Sequence, residues 1–239
     1  MIKSHKDLKI KIFADGANVT EMKKVYGEGI VSGFTTNPTL MKKDGVTDYV
    51  SFAKDVLSVI TDMPISFEVF SDDFESMEKQ ARLIGSWGEN VYIKIPVTNT
   101  KGEDSFKLIE RLTSDGFKLN VTAILTTEQV ENVMNAVYKD TKCIISVFAG
   151  RIADTGRNPI PYMKRSLEIV RQNSNAELLW ASSRELLNII QADECGCDIV
   201  TVTNDIIKKL SMLNKDLEEL SLDTVKMFYN DASSAGYKF

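Results

Sequence analysis

The sequence predicts one α/β domain, a TIM (β/α)8 barrel with an additional C-terminal helix, and three observations carry that prediction. Short apolar runs alternate with longer amphipathic segments from one end of the chain to the other. Most of the apolar runs are rich in Ile, Val or Phe with few polar interruptions, the pattern of strands buried on both faces of a parallel sheet. Eight strand–helix units fit into about 210 residues, and such alternation demands parallel strands joined by helical crossovers. The 239 residues suffice to bury the core this fold needs. An open, doubly wound sheet is the competing topology.

Strands are expected at Leu8–Ala14, Ile30–Phe34, Ile65–Val69, Val91–Ile95, Leu119–Thr122, Cys143–Val147, Glu177–Ala181 and Ile199–Val202. The seventh, Glu-Leu-Leu-Trp-Ala, is the least typical. Between them, apolar residues at three- and four-residue spacing predict helices over Asp48–Thr61, Phe74–Trp87, Asp104–Asp115, Glu128–Tyr138, Tyr162–Asn173 and Arg184–Ala192. Thr127 suits a helix N-cap, and Pro159 and Pro161 suit a loop entering a helix. Asp216–Ser234 reads as the extra amphipathic helix, placed to cap the barrel or to reach a neighbouring subunit. No linker, low-complexity tract or repeat of 20–50 residues interrupts this order.

Composition narrows the chemistry. The formal net charge is −5, and Lys and Arg are spread along the chain, unlike the clustered basic footprint of a nucleic-acid binder. Such a protein must handle anions with a few placed cations. The first residues hold no long apolar stretch and no small-residue cleavage site, and no run is long enough to span a membrane. Three sparse cysteines, Cys143, Cys195 and Cys197, suit a reducing compartment, so a cytoplasmic location is expected. The single histidine, His5, lies in the polar leader. That leaves no imidazole for a Ser-His-Asp or Cys-His mechanism and too few for the usual zinc site. Acid–base work falls to Asp, Glu, Lys or Tyr.

Barrel enzymes place functional groups at the C-terminal ends of their strands, and here those ends are polar. The first ends in Asp15, the second runs into Thr35-Thr36-Asn37-Pro38, the third carries Glu68 and the fourth Lys94. The fifth holds Asn120 and Thr122, the sixth holds Ser146 and leads to Arg151, and the seventh leads to Ser182 and Arg184. Singly, each has a plain structural reading: a helix start, a turn, a rim carboxylate, a small packing residue or a surface ion pair. Together, seven consecutive strands carry polar groups at one end. Lys94 stands apart, flanked by apolar residues in Val-Tyr-Ile-Lys-Ile-Pro-Val-Thr. Alternation puts it with Tyr92 on one face and Ile93 and Ile95 on the other. A lysine facing a barrel interior must be paired or neutral, and burial favours the neutral, nucleophilic amine. From the residues alone a nucleophile, a lysine reaching the rim and a partner for Glu68 all stay open.

These segments resemble the transaldolase family. Gly33–Leu40 (GFTTNPTL) is similar to its first signature, and Val91–Thr98 (VYIKIPVT) to the segment with its Schiff-base lysine. Phe13–Asn18 (FADGAN), Leu119–Thr122 (LNVT), Ser146–Ile152 (SVFAGRI) and Ala181–Arg184 (ASSR) resemble further motifs in the right order. The resemblance spans nearly the whole chain and implies that Lys94 forms a Schiff base with a ketose. Glu68, through a water near Thr122, supplies the proton for dehydration, and Asp15 takes the proton of the hydroxyl beside the bond that breaks. It further implies that Asn37, Asn120 and Ser146 hold the hydroxyls of the three-carbon unit, that Thr35 is also substrate-binding, and that Arg151, Arg184 and Ser182 hold a terminal phosphate. No metal or cofactor is expected, because the imine itself is the electron sink. Sugar phosphates are the expected partners, in carbohydrate metabolism of the pentose phosphate type. Assembly into a homo-oligomer, a pentameric or decameric ring among the possibilities, is implied through the C-terminal helix.

The family divides into transferases and enzymes resembling fructose-6-phosphate aldolase. The second group tends to carry glutamine at the position of Glu68 and tyrosine at that of Phe148. Phenylalanine cannot protonate the enamine, so Glu68 and Phe148 favour transfer to a second aldehyde. Release of free dihydroxyacetone, a different anionic ketose such as a sulfosugar, and a non-catalytic sugar-phosphate-binding barrel are the competing readings. Two rim features, Gly16 after Asp15 and Glu103 after Gly102, depart from the family pattern and bear on the substrate.

Overall fold

A computed structural model describes residues 4–237. Eight parallel strands pair in sequence order, and the last pairs with the first, closing a barrel. They are β1 (Lys11–Asp15), β2 (Gly33–Thr35), β3 (Ile65–Glu68), β4 (Val91–Pro96), β5 (Leu119–Ile124), β6 (Cys143–Val147), β7 (Ala176–Trp180) and β8 (Ile199–Thr203). Closure rules out the doubly wound sheet and removes every edge from which a strand side chain could reach solvent sideways. Helices α1 (Val19–Glu28), α2 (Pro38–Lys43), α3 (Tyr49–Leu57), α4 (Phe74–Gly85), α5 (Phe106–Ser114) and α6 (Thr127–Ala136) serve the first half. Helices α7 (Ala149–Asp154), α8 (Ile160–Val170), α9 (Leu187–Cys195), α10 (Asn204–Lys208) and α11 (Leu217–Ala235) serve the second. No described helix is long and apolar enough to cross a membrane.

Local chemistry explains where the elements differ from the expected bounds. The first strand starts at Lys11 because the Lys9 and Ile10 amides leave the ladder and donate to Asp193 Oδ1 at 2.8 and 2.9 Å. Helix α6 is capped by Thr126, not Thr127: its hydroxyl accepts from Gln129 N while the Gln129 side chain accepts from Thr126 N. The helix expected from Arg184 begins later, at Leu187. Asn188 Oδ1 accepts from the amides of Arg184 and Glu185, so Arg184 belongs to the loop after β7. Helices α1, α2, α7 and α10 were not singled out by periodicity, three of them having six residues or fewer. Polar caps make α1 and α2 legible in retrospect, Asn18 accepting from Glu21 N and Asn37 from Leu40 N.

The core has two parts. The larger lies between strands and helices and takes Ile93, Ile95, Val121 and Ile145. The smaller fills the barrel, where Phe13, Tyr92, Ile144, Leu179 and Ile199 pack together. Alternation continues each of these strands upward into a polar layer: Phe13 to Asp15, Tyr92 to Lys94, Ile144 to Ser146 and Ile199 to Thr201. The barrel is thus plugged with apolar rings below and polar above, where the helices begin.

Helix α11 has no buried residue, and Leu222, Val225, Phe228 and Tyr229 are all more than half exposed. Gly33 makes the tightest contact with the interior plug, since a Cβ there would stand 2.5 Å from the Phe13 ring. Gly33→Ala should therefore destabilise the barrel by about 1–3 kcal/mol through overpacking. Phe13→Leu should recover part of that loss in the double variant, as read by chemical denaturation; additive losses would mean the two residues do not compete for space.

Candidate active site

All twelve residues singled out from the sequence line one cleft of about 380 Å³ at the C-terminal mouth of the barrel. That volume suits a small ligand. Lys94 is its floor. Its residue is 6% exposed, and Nζ lies 3.1 Å from Glu68 Oε2 and donates to the Thr36 carbonyl at 2.8 Å. The register explains this: Lys94 pairs with Glu68 on one side and Asn120 on the other, so three polar side chains share a level of the barrel. The Thr36 carbonyl is turned to the lysine by its own anchors, since Thr36 N and Oγ1 both donate to the Ser66 carbonyl. The lysine is therefore both paired and aimed.

Asp15 stands at the end of β1. The Thr35 hydroxyl donates to its Oδ1 at 2.8 Å, and Asn37 Nδ2 reaches both carboxylate oxygens at 3.4 Å. Burial pushes the Asp15 carboxyl up, against the opposing pull of the Lys94 charge and of the bonds from Thr35 and Asn37. Thr35 and Asn37, expected to line the ligand, both line the cleft and also bond to Asp15, and Asn37 caps α2 as well. Opposite, Ser146 Oγ donates to Asn120 Oδ1 at 2.6 Å and Asn120 Nδ2 donates to Ser66 Oγ at 3.0 Å, a buried chain spanning β6, β5 and β3. Thr122 sits where β5 changes register, next to Ala123 with φ 62°. Its Oγ1 is buried without a hydrogen-bond partner, and so is Ser183 Oγ; both residues line the cleft.

At the rim, the Arg151 guanidinium lies over the Phe148 ring, 5.7 Å from its centre. Arg184 pairs with Asp154, its Nη2 2.6 Å from Oδ2. Ser182 adopts φ 61°, unusual for a residue with a side chain, on the loop that carries Arg184. Arg151 and Arg184 thus come from separate elements and line the same cleft.

The sequence reading missed several contributors. Thr201 and Thr203 line the cleft from β8, and Thr201 Oγ1 lies 2.6 Å from Thr35 Oγ1. The alternation in Ile-Val-Thr-Val-Thr was the available signal, and it makes the polar end a property of all eight strands. Ser66, two residues before Glu68, carried the same signal. Tyr49 carried none, since its hydroxyl donates to the Glu68 carbonyl from outside the barrel at 3.0 Å. Among the described residues no group of three or more His, Cys, Asp or Glu is placed to hold a metal.

A buried lysine, two carboxylates and paired arginines on a (β/α)8 barrel define a class, and comparison with known proteins places the chain within it. The sequence profile of the transaldolase/fructose-6-phosphate aldolase family matches residues 12–238. A protein named "probable transaldolase" from Caldicellulosiruptor saccharolyticus is 34% identical over 204 residues, covering 84% of this chain and 89% of that one. Another of that name, from a Thermoanaerobacter species, is 31% identical over 230 residues, covering 96% of this chain and all of that one. The crystal structure of 3-hexulose-6-phosphate synthase from Salmonella typhimurium matches at a TM-score of 0.58 and 15% identity, over 84% of this chain and 91% of that one; this likeness is one of fold. The chain belongs to the transaldolase/fructose-6-phosphate aldolase family.

The state of Asp15 has a measurable consequence for stability. A carboxyl raised in the folded protein costs stability above its folded-state pKa; the cost shrinks as pH falls and is gone below the ordinary Asp range. Asp15→Asn should therefore raise the melting temperature at neutral pH, with the gain fading in acid. A gain that instead grows toward acid would contradict the burial of a strained carboxylate.

Proposed function

We propose that the protein is a transaldolase, moving a dihydroxyacetone unit from a ketose phosphate to an aldose phosphate through a Schiff base on Lys94. The donor is of the sedoheptulose 7-phosphate or fructose 6-phosphate type. The observation that carries this reading is the seat of Lys94 Nζ, between a carboxylate and a carbonyl in a cleft that two arginines also line. Lys94 attacks the ketose carbonyl after passing a proton to Glu68, and the carbinolamine forms. Glu68 returns the proton to the departing hydroxyl, and water leaves. The unused Thr122 hydroxyl suits a water shared with Glu68 on this path. Asp15 then takes the proton of the hydroxyl next to the scissile carbon–carbon bond, and the bonding pair moves into the iminium nitrogen. An aldehyde departs and an enamine stays on Lys94. A second aldehyde adds to the enamine carbon, Asp15 gives its proton to the new alkoxide, and hydrolysis of the imine frees the product.

Burial suits Asp15 for this work, since a carboxyl pushed upward is a better base than an exposed one. Asn120 and Ser146 offer bonding groups to the three-carbon hydroxyls beside Lys94. Arg151, Arg184 and Ser182 take the terminal phosphate. Phe148 at the cleft has no proton to give the enamine, which favours transfer over release.

Borohydride with fructose 6-phosphate should fix a covalent adduct on Lys94, located by mass spectrometry, and Lys94→Arg should abolish it. An adduct on another lysine would sink the mechanism. Turnover of fructose 6-phosphate should require an aldehyde acceptor such as erythrose 4-phosphate, whereas rapid release of free dihydroxyacetone without acceptor would make the enzyme a lyase.

The uncovered apolar side chains of α11 support self-association into a homo-oligomer. Deleting residues 216–239 should lower the mass measured by analytical ultracentrifugation; an intact protein that is monomeric at micromolar concentration would refute this.

A further inference from the structure

We propose that Asp154 is a positioning residue of the terminal-anion subsite: it joins the two chain segments that supply the arginines and turns one free edge of Arg184 to the ligand. This rests on the reading of Arg151 and Arg184 as the phosphate-binding pair.

The two arginines come from different places. Arg151 stands on α7, after β6, and Arg184 lies on the loop after β7, outside any helix. An anion gripped by both needs those segments at a constant separation. Two contacts set it. At the start of α7, Gly150 N donates to the Ala181 carbonyl at 3.2 Å, and the Gly150 Cα presses on Ser182 so closely that a Cβ would lie 1.6 Å from the Ser182 oxygen. Ser182, held in its left-handed conformation, thus faces a backbone with no room to move. At the end of α7, Asp154 receives Arg184 through Nη2 at 2.6 Å and Nε at 3.3 Å.

That geometry is side-on. The Nε–Nη2 edge of Arg184 is spent on Asp154, and the Nη1 side is left with its donors. The bond from Arg184 lowers the Asp154 carboxyl from its usual value, with the Arg184 and Arg151 charges adding to it, which favours the anion. Two arginines and one aspartate leave the subsite with one net positive charge. Both partners are about half exposed, so the pair contributes little to folding and its removal leaves the barrel standing. Its effect falls on the rotamers of Arg184, a long side chain that is otherwise free to sweep the rim.

The test compares a substrate with a terminal anion to one without. Asp154→Ala should raise the KM for fructose 6-phosphate about tenfold, the scale of one charge-assisted hydrogen bond, with kcat within about twofold. Borohydride trapping of dihydroxyacetone on Lys94, which needs no anion subsite, should keep its wild-type rate. Asp154→Asn, which keeps an oxygen for Nη2, should recover most of the KM. An equal fall in both readouts, or an unchanged KM, would overturn the proposal. Arg184→Ala run alongside separates the two layers of inference. A raised KM in Arg184→Ala with none in Asp154→Ala discards the role of Asp154 alone, and no rise in either discards the phosphate-binding pair as well.

Discussion

A lysine ammonium inside a closed barrel has nowhere to go. With no edge strand, Lys94 cannot reach water sideways, and the apolar plug of Phe13, Tyr92, Ile144, Leu179 and Ile199 closes the way below. An unpaired charge there would cost several kcal/mol. The rest of the site answers that constraint. Glu68 arrives at the same level because β3 and β4 pair in a register that sets the two residues side by side. The Thr36 carbonyl arrives because β2 ends there and its last turn is pinned to Ser66. In the proposed chemistry a group held this firmly would need little reorganisation, which is the advantage of a preformed polar layer.

The polar layer is built in tiers of increasing freedom. Around Lys94 the neighbours are strand residues or the residue that follows a strand, and the chain Ser146–Asn120–Ser66 beside it is buried. One step up, Asp15 is held by Thr35 and Asn37, the latter belonging to a helix cap. At the rim the arginines stand on a short helix and a loop, half exposed. The order matches the demands of the proposed chemistry. Bond making at Lys94 tolerates little displacement, whereas an anion several ångströms away can be gripped by side chains that adjust.

Sequence patterning made the barrel legible because period-two burial and period-3.6 burial are both direct consequences of strand and helix geometry. It also placed Lys94 on the inner face, from the alternation of Tyr92 with Ile93 and Ile95. It failed where a single side-chain bond overrides periodicity. Asn188 holds the Arg184 amide out of α9, Asp193 draws Lys9 and Ile10 from β1, and Gln129 moves the cap of α6 to Thr126. It passed over Thr201 and Ser66, whose alternation was visible, and it could not have found Tyr49 or Asp154, whose partners are distant along the chain. Nor did it show that Thr35 and Asn37 bond to Asp15, a contact made only in space.

The chain by itself determined the class of fold, the end of the barrel that carries polar groups and the identity of the lysine among them, because strand alternation and composition are local properties. Motif resemblance extended this to the proposed chemistry. Only the tertiary structure decided who pairs with whom: that Lys94 shares a level with Glu68, that Asp15 is raised by burial, and that Arg184 is held by a carboxylate on a neighbouring helix. Those facts depend on strand pairing and on contacts between elements separated along the chain, which local periodicity does not specify.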